Sequence, residues 1–203
     1  MTASDREPRQ QRSRETRERL LAATVDMLAS RGWAATTIGA VAAAAGVSRG
    51  AAQHHFPTRE DLITAVLEAM FQEMTEGAAE TVENLPDGPE RIDLVVERAV
   101  SIYVGKQFKA ALQVWAAAAS DAHLREAILP LEAKLARAAH RMTVQGLDPA
   151  GEHGREAHRL AQLTLDLARG LGLADTLSDD SARRGRVTAA WVEQVKSALP
   201  ART

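Results

Sequence analysis

The stretch from Thr36 to Phe56, TTIGAVAAAAGVSRGAAQHHF, constrains this chain more than any other, because it punctuates two short helices around one tight turn. Thr37 offers a hydroxyl for an N-cap, and Ile38 to Ala45 follow as a compact, Ala-rich helix. Gly46 stops that helix, since a glycine just past the last periodic residue takes the left-handed C-cap conformation. Ser48 then offers a second N-cap, for a helix over Arg49 to His55. Small residues (Ala42, Gly46, Ala52) fall where crossing helices approach closely, while Ile38, Val41 and Val47 face inward. The spacing is that of a helix-turn-helix, whose second helix lies in the DNA major groove. A pair of core helices in another all-α protein shares the Ala-rich, Gly-turn character, so the flanking residues must decide.

Ahead of the motif, Leu20, Leu21, Thr24, Val25 and Leu28 form one apolar face of a helix from about Ser13 to Ser30, with Trp33 and Phe56 placed to close the ends of a three-helix module. Residues 1–12 are polar, contain Pro8 and lack apolar periodicity, and are expected to form a disordered arm whose arginines either meet phosphates or only solvate the tail. A fourth helix begins at Thr58-Arg59-Glu60-Asp61, an N-cap followed by acids, and runs to about Val82. Its wide apolar stripe at 62, 63, 66, 67, 70, 71 and 74 is expected to face two neighbours and to link the motif mechanically to the rest. Leu85-Pro86-Asp87-Gly88-Pro89 breaks the chain, with Pro89 suited to the first turn of helix 5, over about 90–104. Helices over about 107–119, 120–145, 155–176 and 180–199 follow. Pro130 either bends the seventh or divides it, and 146–154 reads as a loop.

Composition favours an all-α fold: 45% hydrophobic but only 3% aromatic residues, seven prolines, and abundant Ala, Leu, Arg and Glu. With no cysteine, disulfides, thiol nucleophiles and thiolate metal sites are excluded, which fits a cytoplasmic setting. Charge interrupts every apolar run short of a membrane span, so no membrane association is expected. The net charge of −2 conceals an asymmetry. Eight arginines against five acids up to Phe56 give +3, whereas the remainder carries 17 basic and 22 acidic residues.

With ERLLAATVDMLASRGWAATT before the motif and HHFPTREDL after it, residues 16 to 68 resemble the TetR family of bacterial transcriptional repressors. The resemblance implies a DNA-binding domain at 13–60 and a helical ligand-binding and dimerisation domain at 61–203. It places Thr37, Ser48, Arg49, Gly50, Ala51, Gln53, His54, His55 and Arg59 at the DNA. Arg49 suits guanine O6 and N7, Gln53 suits adenine N6 and N7, and Thr37, His55 and Arg59 suit phosphates. Two positions depart from the family: Gln53 stands where an aromatic residue is common, and Ala52 where a larger apolar one is usual.

In the second domain, Tyr103, Gln107, Phe108, Trp115 and Met142 are candidates for a small-molecule pocket, although at helical spacing each serves equally as core. Leu163, Leu167, Leu171, Val187, Trp191 and Val195 resemble a homodimer interface, or are intramolecular core; small Gly170 and Gly172 lie on the same helix. His54 and His55 point about 100° apart on a helix and lack partners at ligand spacing, so no metal site is expected; His123, His140, His153 and His158 read as surface groups. There is no HExxH, no Glu-x-x-His pair and no Gly-rich phosphate loop, so neither an enzyme nor a cofactor is expected. The leading expectation is a dimeric repressor that binds operator DNA and is released by a small-molecule effector. The alternatives are a ligand acting as corepressor, or a helical binding protein with altered or lost DNA recognition.

Overall fold

The computed structural model describes residues 3–83, 85–88 and 90–200, with side chains described over 10–77, 85–88 and 90–200. These residues form nine α-helices and no strand: α1 (Ala3–Ala35), α2 (Ile38–Ala44), α3 (Arg49–His55), α4 (Arg59–Glu83), α5 (Glu90–Ile102), α6 (Gly105–Ser120), α7 (Ala122–Leu147), α8 (Arg155–Ala174) and α9 (Ser181–Ala198). The all-α expectation holds. Met1, Thr2 and the expected first-turn residue Pro89 lie outside the described residues.

Local chemistry explains most boundaries. Thr37 Oγ1 accepts from the Ala40 amide at 3.2 Å and Ser48 Oγ from the Ala51 amide at 3.1 Å, so both helices of the motif start on the expected caps. Gly46, at φ +66°, makes the left-handed turn between them. At α4, Thr58 and Asp61 cap reciprocally: the Asp61 amide donates to Thr58 Oγ1, and Asp61 Oδ2 accepts from the Thr58 amide, each at 3.0 Å. Asp121 Oδ1 caps α7 by accepting from the Leu124 amide.

Two readings need revision. α1 is helical from Ala3, including most of the stretch expected to be irregular; Arg, Gln and Glu are good helix formers and extend the helix without an apolar stripe. Of the two alternatives for Pro130, one helix rather than two pieces holds, with Pro130 inside a continuous α7. Gly146 and Leu147 complete α7, so the loop starts at Asp148. There Oδ1 and Oδ2 accept from the amides of Glu152 and His153, each at 2.9 Å.

The chain forms two compact units: residues up to Met70 with Lys109–Pro130, and Phe71–Phe108 with residues from Leu131 onward. In the first, Leu20, Leu21, Met27, Val41, Ala42, Ala52, Phe56, Leu62, Ala65 and Val66 form one buried cluster, with Ile38, Val47 and Val25 packed half-buried against it. Ala42 and Ala52 are the small residues at this helix contact. Gly46 is exposed and serves only the turn. In the second, α5 packs on α8 and α9 through Ile92, Val95, Val96, Leu160, Ala161, Val192 and Val195.

Candidate nucleic-acid interface

Burial of Ala52 and half-burial of Ala51 turn one face of α3 into the first unit and leave Arg49, Gly50, Gln53 and His54 exposed on the other. Ser48, at the cap, is also exposed, as is Thr37 at the start of α2. The motif thus presents the two expected base-reading side chains, Arg49 and Gln53, on a helix of seven residues rigidly started by its cap. No Asp or Glu occurs between Asp26 and Glu60, so the motif itself contributes no anionic side chain that would repel phosphate.

His55 is half-buried against Phe56, with ring centroids 6.2 Å apart. Burial, and then the neighbouring His54 and Arg17, hold its imidazole below the usual value, which favours the neutral ring. Arg17 is a residue that sequence reasoning missed: from α1 its guanidinium lies 5.7 Å from the Phe56 ring centroid, bringing a cation to the end of α3. The available signal was its position one helical turn before the buried Leu20 and Leu21.

A phosphate near His55 raises its affinity for a proton, so DNA binding should take up a proton and tighten as pH falls from 8 to 6. The free protein responds oppositely: folding is favoured most above the unfolded-state value and loses that contribution as pH falls through the depressed one. In His55→Gln the part of the pH dependence due to this group should vanish, as read by titrating labelled DNA at each pH. An unchanged pH profile would remove His55 from the phosphate contacts.

Arg59 is committed elsewhere. Its guanidinium stacks 3.6 Å from the centroid of half-buried Trp33, and Nη2 donates to the Trp33 carbonyl oxygen. Burial lowers its pKa, partly opposed by Glu60. The side chain expected at a phosphate therefore ties the start of α4 to the end of α1.

The pocket candidates are divided between the two units. Tyr103 and Phe108 are buried edge-to-face, 5.5 Å apart, with Arg169 above the Tyr103 ring; burial pushes the Tyr103 hydroxyl up, against the pull of that guanidinium. Gln107 is exposed and donates to Glu73 at 2.7 Å. Met142 is half-buried in the same unit, and Trp115 half-buried in the other. A groove of about 330 Å³ opens between α5 and α9 and is lined by none of these five.

Of the interface candidates, Leu171 and Val195 are buried within the protomer, at 3% and 0% exposure, and can only support a contact face. Leu163 is 43% exposed, while Leu167, Val187 and Trp191 are half-buried, Trp191 donating from its indole to Thr164 Oγ1 at 2.9 Å. Leu173 near the end of α8 and Leu177 just beyond it are also exposed. The two glycines of α8 separate as well. A Cβ on Gly170 meets nothing within 4 Å, whereas one on Gly172 falls 1.8 Å from the Tyr103 carbonyl oxygen.

The histidines read as surface groups are partly engaged. His140 and His158 meet across α7 and α8 with ring nitrogens 3.0 Å apart, and burial followed by the His158 charge lowers the His140 pKa. His153 closes onto Asp148 and the Pro200 carbonyl. No cluster of three metal-ligating side chains occurs among the described residues, and none of their helices is long and apolar enough to cross a membrane.

Residues 20–66 match the sequence profile of "Bacterial regulatory proteins, tetR family". The HTH-type transcriptional regulator CymR of Pseudomonas putida is 30% identical over 183 residues, 90% of each chain. A transcriptional regulator from Pseudomonas aeruginosa PAO1 superposes with a TM-score of 0.71 at 21% identity over 89% of this chain and 90% of that one. FadR of Bacillus subtilis, solved with stearoyl-CoA, gives 0.68 at 16% identity over 90% and 98%. The helix-turn-helix, the all-helical fold around it and the likeness to CymR along nearly the whole length establish that this chain belongs to the TetR family of bacterial transcriptional regulators.

Proposed function

We propose that the protein is a homodimeric repressor that reads operator DNA with α3 and is released by a small molecule. The observation that carries this is the exposure of Arg49, Gly50, Gln53 and His54 on a capped, acid-free helix. Arg49 and Gln53 read bases, Thr37 and His55 hold phosphates, and Arg59 acts indirectly by fixing α4 against Trp33. We assign residues 13–60 to DNA and 61–203 to ligand and dimerisation, the division that the resemblance implies. Two-fold pairing through exposed Leu163 and Leu173, with half-buried Leu167, Val187 and Trp191, presents two α3 helices to two half-sites.

Release by a ligand is supported by FadR, a fold relative that binds an acyl-CoA. Helix α4 contributes to both units and is the route by which a ligand would act on the motif. A coupling of ~1–3 kcal/mol weakens operator binding roughly 5- to 150-fold, and operator DNA must weaken the ligand by the same factor. A corepressor reverses the sign with the same architecture.

A gel shift on the DNA flanking the protein's own coding sequence tests the reading. The flanking DNA should be retained about 10³-fold or more tightly than a scrambled duplex at physiological salt. Equal retention of both duplexes would contradict sequence-specific recognition.

A further inference from the structure

Thr188 is the exception among the buried threonines. Thr24, Thr36, Thr143 and Thr164 each donate their hydroxyl to the carbonyl oxygen four residues back, at 2.7–2.8 Å. Thr188, on α9, is only 8% exposed, and its Oγ1 has no hydrogen-bond partner among the described residues. A hydroxyl taken out of water without a partner costs stability, so its retention in this orientation calls for an explanation.

Thr188 lines the groove between α5 and α9, whose apolar wall is Val100, Val104 and Val192. Asp93, Glu97 and Arg184 supply its charges. Two of these are neutralised locally: Arg184 pairs with Asp175 at 2.6 Å, and Asp93 with Lys196 at 2.7 Å. Glu97 is exposed and has no partner among the described residues. The groove therefore combines an uncompensated carboxylate, an unsatisfied hydroxyl and an apolar wall. Its volume of about 330 Å³ lies at the lower end of the range of roughly 300–1,000 Å³ for small-molecule sites.

We infer that this groove binds a small organic amine, whose ammonium donates to the Glu97 carboxylate and the Thr188 hydroxyl while its apolar body lies along Val100, Val104 and Val192. Both polar groups accept hydrogen bonds, and Glu97 repels an anion. A neutral ligand of the same shape forgoes the charge-assisted bond. The inference goes beyond the DNA-binding reading and is tested without DNA, so either can fail while the other stands.

Full-length protein is titrated calorimetrically with benzylamine as its hydrochloride, and with benzyl alcohol and benzoate as shape-matched probes. Benzylamine should bind saturably and the other two far more weakly, and Glu97→Gln should weaken benzylamine about tenfold or more. Thr188→Val should weaken benzylamine as well, yet raise the melting temperature of the free protein, because it removes an unpaired hydroxyl at nearly constant shape. That opposite pair of effects separates a binding role from damaged folding. The assignment is overturned if benzylamine does not saturate, if benzyl alcohol or benzoate binds as tightly, or if either variant binds benzylamine like the wild type.

Discussion

Replacing Gly172 with alanine should unfold the protein at a markedly lower temperature, although alanine is the better helix former. The added Cβ would lie 1.8 Å from the Tyr103 carbonyl oxygen and 2.8 Å from both the Tyr103 carbonyl carbon and Phe108 Cε1. Two of these atoms are backbone and cannot rotate away, so α8 has to shift off the corner between α5 and α6. Overpacking of this kind costs about 1–3 kcal/mol or more and outweighs the ~1 kcal/mol gained in helix propensity. A net loss of about 2 kcal/mol lowers Tm by roughly 4–8 °C in a chain of this size. Gly170→Ala, on the same helix with nothing within 4 Å of its Cβ, should instead stabilise the protomer by about 0.5–1 kcal/mol. Denaturant melts of the two variants decide it, and shifts of the same sign would show that the close approach of α8 to Tyr103 is wrong.

Leu163→Glu should leave the protomer folded but dissociate the proposed dimer. Leu163 is already 43% exposed, so the substitution opens no cavity in the protomer. In a two-fold interface it buries a charge from each chain without partners, which costs several kcal/mol; about 3 kcal/mol weakens association by ~10². Specific DNA affinity should fall with it, since one motif no longer brings a second to the adjoining half-site. Trp191→Glu is a poorer probe, because the indole donates to Thr164 Oγ1 inside the protomer and its loss damages the fold directly. Light scattering that still shows a dimer for a folded Leu163→Glu would move the interface off this face of α8.

The features legible in the sequence were those decided by neighbours along the chain. Thr37, Gly46, Ser48 and Thr58 act within four residues of themselves, so the motif and the start of α4 could be placed from composition and spacing alone. The apolar stripe of α1 was legible for the same reason. What needed the structure were choices between two faces of one helix. Leu163 and Leu171 share a leucine stripe, yet one is exposed and the other buried, because the stripe straddles the edge of the buried face of α8. Gly170 and Gly172 look equivalent as small residues, and only the path of Tyr103 distinguishes them.

Pairings between distant segments were also hidden. Arg59 has the placement of a phosphate ligand, and nothing local to it shows that Trp33 occupies its guanidinium. His140 and His158 looked isolated because their meeting depends on how α7 and α8 are brought together. The groove between α5 and α9 depends on which helices pair, which no spacing along the chain shows.

The central claim is that α3 reads DNA sequence through Arg49, and fluorescence anisotropy tests it most directly. Wild type and Arg49→Ala are titrated against the operator and a random duplex over a range of salt. Loss of the bidentate guanine contact should cost Arg49→Ala about 1–3 kcal/mol on the operator, leave random DNA much less affected, and relax base preference. Equal weakening on both duplexes would make Arg49 a phosphate contact only and contradict the account.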